Sequence, residues 1–284
     1  MRILKKILKI AGIVLIILLI GILIAAHVFL KPESDGQLLK RLDNPHSKAH
    51  IIHRVYQGFP YREIAMQQVI DTTLPTLVFV NGSPGSVLDF KRYFKDSLLN
   101  AKANILGYER IGYGPDNPGE AQGSIAFELG LLQNVTRGIP VKKIVLIGYS
   151  YGATIVMAAP AAYKHKISLA AAVDPKAEPM FPALKFYDWK LTRWLLPKKM
   201  QAAAKEKYSH LTDLPQYKDK WNLSPSPVLD IQGNKDWIVP YENSLYLKSK
   251  IDPAKFTLIT IKGVGHELIW SDFKLIRNEI LRTL

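Results

Sequence analysis

A serine flanked by glycines is the first pattern in this chain that could do chemistry. The segment Gly148-Tyr149-Ser150-Tyr151-Gly152 stands between an apolar run, KIVLIG, and a stretch of small residues, GATIVMAA. Where a strand turns sharply into a helix, the residue at the turn projects its side chain above the sheet, and glycine two residues to either side avoids a clash. The pattern predicts Ser150 as a nucleophile. An ordinary turn in which Ser150 caps the helix is the alternative.

Two residues further along the chain could activate that serine. A serine hydroxyl is a weak nucleophile near neutral pH, so it needs a base and a carboxylate that orients the base. His266 follows the last predicted strand, and Asp236 follows the strand before it. Because the carboxyl ends of parallel strands meet at one edge of a sheet, we expect both side chains near Ser150. Asp174, which ends another predicted strand, is the reserve acid.

The loop Asn81-Gly82-Ser83-Pro84-Gly85 could supply the remaining catalytic group. Attack on an acyl carbon creates an oxyanion, which backbone N–H groups must stabilise. The loop follows a predicted strand, so we expect the Ser83 amide to pair with the Tyr151 amide at the positive end of the helix after Ser150. A plain Pro-Gly turn is the alternative for this loop. This chemistry requires no metal and no organic cofactor.

Composition limits the other kinds of function. A chain of 284 residues with 48% apolar content can build one sizeable core. It has no cysteine, which excludes disulfides, zinc–thiolate sites and a thiol nucleophile. The net charge of +14 suggests an acidic partner. The basic residues are spread along the chain with no recognisable nucleic-acid motif, so we expect no nucleic-acid partner.

Strands and helices alternate from residue 50 onward. A hairpin is predicted at 50–70, followed by apolar strands whose composition is typical of a parallel sheet covered on both faces. These strands are expected at 76–80, 103–108, 143–148, 168–173, 227–232 and 256–261. Helices are expected between them, at 87–99, 124–135, 152–163, 242–251 and 267–284. The pattern predicts an α/β fold with a doubly wound, mostly parallel sheet.

The first 31 residues form a separate unit. Residues 10–26 carry no charged side chain, and about 20 such residues cross a bilayer, whereas the apolar part of a cleavable signal is about 7–15 residues long. Four basic residues precede this span and Lys31 closely follows it. We therefore expect a retained single-pass anchor with a cytoplasmic N-terminus and the catalytic domain on the outer, periplasmic or extracellular, side. Removal as a signal peptide is the alternative.

Residues 32–49 are predicted to be a linker, and residues 50–284 the soluble domain.

Within the soluble domain, the regular alternation of strands and helices stops at about residues 176–222. This segment, 176–222, occupies the position of a lid. A lid excludes water and shapes an acyl pocket, so its aromatic residues indicate a hydrophobic substrate group, unless they only pack the lid onto the body. Lysines beside Trp189 and Trp194 also predict contact with anionic lipid.

Together, these motifs resemble the α/β-hydrolase superfamily over roughly residues 50–284. The resemblance lies in GYSYG, NGSPGS, YERIGYG, QGNKDWIVP and GVGHE. It implies Ser150 as nucleophile, Asp236 as acid, His266 as base, and Ser83 and Tyr151 as oxyanion donors. Two residues depart from the family pattern, since Asn81 stands where many members have histidine and Glu109 where aspartate is usual. The serine also argues against haloalkane dehalogenases and epoxide hydrolases, which use aspartate there.

The combined prediction is a membrane-anchored serine hydrolase of small-molecule carboxylic esters, similar to esterase and monoacylglycerol-lipase-like members of that family. The resemblance leaves other reactions open, namely those of an aminopeptidase or amidase, a carbon–carbon hydrolase or an acyltransferase, because one fold hosts all of them. A non-catalytic binding protein of the same fold is the alternative from another class.

Overall fold

A computed structural model describes residues 2–43 and 47–284, without the side chain of Arg2. Its centre is an eight-stranded sheet with the order β1-β2-β4-β3-β5-β6-β7-β8. Strands β1 and β2 form an antiparallel hairpin, and β2 pairs antiparallel with β4. All other neighbouring strands are parallel. The strands are β1 His50–Tyr56, β2 Phe59–Ala65, β3 Thr76–Val80, β4 Asn104–Tyr108, β5 Ile144–Tyr149, β6 His165–Leu169, β7 Val228–Gly233 and β8 Phe256–Ile261.

Helices cover both faces of the sheet. Every residue of β3, β4, β5 and β7 is buried, which is the result expected for a parallel sheet between two helical layers. The helices are α1 Arg2–Phe29, α2 Asp35–Leu42, α3 Lys91–Phe94, α4 Ser97–Lys102, α5 Ile125–Val135, α6 Tyr151–Ala158, α7 Lys185–Asp188, α8 Lys190–Arg193, α9 Lys198–Tyr217, α10 Glu242–Lys250, α11 Leu268–Ser271 and α12 Phe273–Arg282. Short 3₁₀ helices lie at Val87–Phe90, Val141–Lys143 and Pro182–Leu184. The predicted α/β architecture is therefore confirmed.

The largest error in the strand predictions concerns β6. The strand was expected at 168–173, but it spans His165–Leu169 and ends where Ala170 adopts a positive φ of 58°. Because Lys166 is charged, the first half of this strand does not form an apolar run and was not predicted as a strand. The Lys166 side chain is nevertheless buried, because the ammonium group donates to the carbonyls of Met157 (2.7 Å) and Ala159 (3.0 Å) at the end of α6.

Two helices are also interrupted where one continuous helix was expected. Residues 87–99 form a 3₁₀ helix, then α3 and the start of α4. The helix is interrupted before α4 because the Asp96 side chain accepts hydrogen bonds from the amides of Leu98 and Leu99. Residues 267–284 form α11 and α12, which are separated at Asp272. At the first break, the short polar side chain of Asp96 offers the backbone an alternative to the helix. At the second, the Asp272 carboxylate accepts from the Ser271 hydroxyl and makes no bond to the backbone of any described residue.

The segment 32–49 needs correction, because much of it is not a free linker. It contains α2, in which Leu38 and Leu42 are fully buried in the core on one face of the sheet. Asp35 also accepts a hydrogen bond from the buried Arg62 of β2 at 2.7 Å. The packed domain therefore begins near residue 35. Residues 44–46, which also belong to the predicted linker, lie outside the described residues.

Helix α1 is long and apolar enough to cross a membrane. The stretch Ile3–Phe29 meets this criterion by length and composition, and it is not buried against the rest of the protein. A signal sequence near an N-terminus has the same properties. The C-terminal end of α1 lies beside the lid, since His27 borders the same crevice as Lys190 and Trp194.

Lys166 gives a test of the buried strand β6. Burial lowers the pKa of Lys166 from 10.5 to about 7, so between these pH values the unfolded chain holds a proton that the folded chain lacks. The unfolding free energy should therefore increase with pH across this window, by up to about 1.4 kcal/mol per pH unit. Lys166→Met should remove this increment. Chemical denaturation of the detergent-solubilised chain at several pH values measures it, with the exposed Lys142→Met as control. An unchanged pH slope in Lys166→Met would contradict the assignment.

Candidate active site

Ser150 lies at a strained turn between β5 and α6. Its backbone has φ 54° and ψ −125°, a conformation that few non-glycine residues adopt and that is concentrated at functional sites. A Cβ atom at Gly148 would lie 2.3 Å from the carbonyl oxygen of Gly152, and one at Gly152 would lie 2.1 Å from that of Val80. Any larger residue would therefore clash at both positions, as the sequence pattern predicts.

The side chain of Ser150 faces a cavity. The serine makes no capping hydrogen bond to α6, so the alternative in which it serves as a helix N-cap is not supported. His266 lines the same cavity, but no hydrogen bond joins the Ser150 hydroxyl to His266 among the described residues. Such bonds are often long before substrate binds.

Asp236 and His266 are joined directly. The Nδ1 atom of His266 lies 2.7 Å from Oδ2 of Asp236. The carboxylate also accepts from Gln232 Nε2 and from the amides of Ile238 and Val239, at 2.9 to 3.1 Å. Because a carboxylate can only accept, the His266 proton resides on Nδ1 and Nε2 is left free to act as a base. The reserve acid Asp174 instead accepts from the Lys176 amide.

Tyr149, beside the serine, holds the histidine from the other side. Its hydroxyl donates to the His266 carbonyl at 2.8 Å, and the two rings lie 5.0 Å apart. Burial raises the pKa of Tyr149, so the hydroxyl remains a donor. Trp270 packs edge-on against Tyr149. Tyr149 thus fixes the loop that carries His266, and the sequence alone did not predict this contact.

The predicted oxyanion loop lies against the serine. A Cβ atom at Gly82 would come within 3.0 Å of the Ser150 Cβ, so the loop backbone approaches Ser150 closely. The amides of Ser83 and Tyr151 donate to no other described residue. Asn81, the departure from the family pattern, donates through Nδ2 to the Gly82 carbonyl at 3.1 Å. Asn81 therefore supports the loop.

Arg110 supports the same loop through hydrogen bonds to its backbone. Its side chain is fully buried and donates to the carbonyls of Asn81 and Gly82, both at 3.1 Å. Glu128 of α5 and Glu206 of α9 accept from the same guanidinium. Neither glutamate was predicted from the sequence. Glu206 lies with Ala203, Lys207 and His210 on one face of α9, and this face borders the cavity. Their spacing of three and four residues was the sequence signal that could have indicated a functional face of α9.

The cavity in front of Ser150 has a volume of about 630 Å³. Lid residues form much of its wall, including Phe181, Leu184, Phe186, Leu196 and Met200. This size and lining suit a largely apolar small molecule. The polar side chains that border the space include Glu178, with Lys207 and His210 beside its carboxylate. His210 stacks on Tyr151, with their rings 5.5 Å apart.

The other departure from the family pattern, Glu109, has a clear role. It accepts from the Nε atom of the buried Arg62 at 2.9 Å, and Arg62 in turn binds Asp35 of α2. This ion pair joins the end of β4 to the antiparallel hairpin and to the N-terminal segment.

In the part of the chain that the structure describes, no group of three His, Asp or Glu side chains could hold a metal ion.

Two family models match this part of the chain. The model described as the alpha/beta hydrolase fold matches residues 75–196, and the model of the prolyl oligopeptidase family matches residues 136–279, half of the chain. Both include the Ser150 turn. The chain belongs to the α/β-hydrolase family. No curated protein matches the sequence of this hydrolase.

Solved structures share the fold of this hydrolase at low sequence identity. A putative lipase from Acinetobacter baumannii has a TM-score of 0.67 at 15% identity, covering 88% of this chain and 95% of its own. The hydrolase MGS-M2 from a Medee basin deep-sea metagenome library gives 0.64 at 16%, covering 82% and 96%. A membrane phospholipase A, described as a bacterial virulence factor, gives 0.58 at 13%, covering 99% and 96%. These likenesses concern the fold.

Asp236→Asn separates the two candidate acids. An amide at position 236 can donate to Nδ1 and so favours the wrong histidine tautomer, which should lower kcat by about 10³ to 10⁴. Asp174→Asn, which changes the reserve acid in the same way, should leave kcat within about threefold, because it lacks the bond to His266. Steady-state ester hydrolysis by both variants measures this. Equal losses in the two variants, or a greater loss at position 174, would contradict the assignment.

Proposed function

We propose that this hydrolase cleaves carboxylic esters through an acyl-enzyme intermediate, with Ser150 as nucleophile, His266 as base and Asp236 as the orienting acid. The observation that carries the proposal is the 2.7 Å bond between His266 and Asp236, at the wall of the cavity that Ser150 also faces. A serine, an imidazole held in one tautomer and free amides at one cavity are the parts that acyl transfer requires.

The reaction proceeds in two halves. Ser150 Oγ attacks the ester carbonyl carbon while Nε2 of His266 takes its proton, and the amides of Ser83 and Tyr151 stabilise the oxyanion. The tetrahedral intermediate collapses, and the alcohol leaves with the proton from His266. Water then attacks the acyl carbon as His266 takes a proton from it. Release of the carboxylic acid restores the Ser150 hydroxyl.

The proposed substrate carries a hydrophobic acyl or alcohol group. Support comes from the apolar lid residues in the cavity wall and from the lipase and phospholipase among the structural neighbours. A second candidate is aminopeptidase or amidase activity, which the prolyl oligopeptidase model favours. The same acyl-enzyme chemistry would then act on an amide.

We also propose that α1 is a retained anchor, with its N-terminus in the cytoplasm and the catalytic domain on the outer side. The length and composition of α1 support the span, and the basic residues that precede it support the orientation. In this arrangement the lid contacts anionic lipid. Its support is the exposure of Phe186, Trp189 and Trp194 beside Lys190, and the position of His27 in the same crevice as the lid.

A fluorophosphonate probe tests the enzymatic proposal. The wild-type chain should be labelled and Ser150→Ala should not, because the probe reacts with an activated serine. A series of esters with short to long acyl chains should then show Ser150-dependent hydrolysis that improves with chain length until the cavity is filled. Absence of Ser150-dependent labelling would favour the non-catalytic alternative. Hydrolysis confined to peptide or N-terminal prolyl substrates would favour the peptidase.

Charge reversal in the lid tests the lipid contact. Lys185→Glu with Lys190→Glu should weaken binding of a fragment that starts at Pro32 to acidic vesicles by at least about tenfold, since each basic residue near an anionic surface contributes about 1 kcal/mol. Lys102→Glu with Lys142→Glu is the matched control, because these exposed lysines precede β4 and β5 at the opposite edge of the sheet. Vesicle co-sedimentation measures binding. Equal weakening by both pairs would contradict a lid-specific contact.

A further inference from the structure

We propose that Glu206, on lid helix α9, is a positioning residue that sets the oxyanion loop through Arg110 and Tyr113. The inference rests on the proposed function, because it assigns a role in the same acyl-transfer reaction. It makes the lid helix part of the support of the catalytic site as well as its cover.

The first link runs from Glu206 to Arg110. The two oxygens of the carboxylate accept from the two terminal nitrogens of the guanidinium at 2.7 and 2.9 Å, and both side chains are buried. This paired geometry fixes the plane of the guanidinium as well as its distance. The guanidinium also lies over the rings of Tyr113 and Tyr151, at 4.7 and 4.9 Å from their centres.

The second link runs from Arg110 to the peptide that carries the oxyanion donor. The nitrogen that binds Glu206 Oε2 also donates to the Gly82 carbonyl at 3.1 Å. The Gly82 carbonyl and the Ser83 amide belong to one planar peptide unit, in which they point in opposite directions. Anchoring the carbonyl therefore sets the direction of the Ser83 N–H group.

A parallel link reaches the Ser83 side chain. The Tyr113 hydroxyl donates to Glu206 Oε2 at 2.6 Å and lies 2.7 Å from Ser83 Oγ. A tyrosine hydroxyl has a single hydrogen, so Ser83 must donate to Tyr113. Burial and the nearby Glu206 charge raise the pKa of Tyr113, which keeps that hydrogen in place. Two routes from Glu206 thus converge on Ser83.

Glu128 does not duplicate this function. It accepts one bond from Arg110 at 3.1 Å, and it makes no hydrogen bond to Tyr113 or Ser83 among the described residues. Burial raises the pKa of Glu128 to about 7, with the Glu206 charge adding to the effect and Arg110 opposing it. Glu206 accepts two bonds from the guanidinium and Glu128 only one, so Glu206 is the main partner of Arg110.

Glu206→Gln in the full-length, detergent-solubilised chain tests the proposal. Glutamine keeps the shape but loses the charge and presents an N–H group to the arginine. The Ser83 amide should shift, and because a misplacement of about 1 Å can cost about 10²-fold in rate, kcat should decrease by about 10- to 100-fold. KM should change by less than about threefold, since the apolar cavity wall is retained. Rates are expressed per serine titrated with the fluorophosphonate probe, so unfolded protein does not contribute.

Tyr113→Phe provides an independent variant. It keeps every charge and removes only the hydroxyl that joins Glu206 to Ser83, so kcat should decrease by a smaller factor, about 3- to 10-fold. The matched controls come from a buried pair in β2, where the Tyr61 hydroxyl donates to Glu63 at 2.9 Å and Arg54 also binds that carboxylate. Glu63→Gln and Tyr61→Phe lie outside the cavity and should leave kcat per titrated site unchanged.

The outcomes are distinguishable. Wild-type protein without Ser150-dependent hydrolysis would refute the proposed function itself. If the wild type hydrolyses esters and both Glu206→Gln and Tyr113→Phe keep its kcat, the positioning role is wrong and the proposed function stands. If Glu206→Gln does not fold, Tyr113→Phe decides alone. Equal losses in the β2 controls would also overturn the inference, because they would trace the effect to general destabilisation.

Discussion

The buried charge of Arg110 is the constraint on which much of the site depends. A guanidinium out of contact with water must be paired and fully hydrogen-bonded, or the fold loses several kcal/mol. Here the partners are two glutamates from different helices and two carbonyls of the loop beside Ser150. The hydrogen bonds that pair this one side chain therefore join the sheet, α5, the lid helix and the proposed oxyanion loop in a single arrangement.

A second set of contacts holds His266, the proposed base, in a comparable way. Asp236 is saturated by four donors, one of which is His266, and Tyr149 holds the His266 carbonyl. The residue that precedes Ser150 thus positions His266, the proposed base. Local sequence around Ser150 therefore determines both the strained turn and part of the geometry of a loop more than a hundred residues away.

The sequence predicted the features that depend on local pattern. The alternation of apolar strands and helices, the glycines around Ser150 and the placement of Asp236 and His266 after successive strands follow from short-range rules, and the fold is confirmed. Features that depend on tertiary partners were missed. Lys166 reads as a break in a strand until its contacts at the end of α6 are known, and the polar segment 32–49 reads as a linker until Arg62 is seen to hold Asp35. The spacing of Glu206 on α9 was a signal, but its role depends on Arg110, a tertiary partner that the spacing does not identify.

The docking of α2 against the core has a spatial consequence for an anchored enzyme. Only residues 30–34 separate the end of α1 from α2, and a fully extended connection of this length spans roughly 20 Å. In the proposed anchored form, the globular body is thus confined to a thin layer above the bilayer, with no long stalk to extend its reach. Its encounters would be largely two-dimensional, and molecules dissolved in or resting on the nearby leaflet would meet it far more often than those free in bulk solvent.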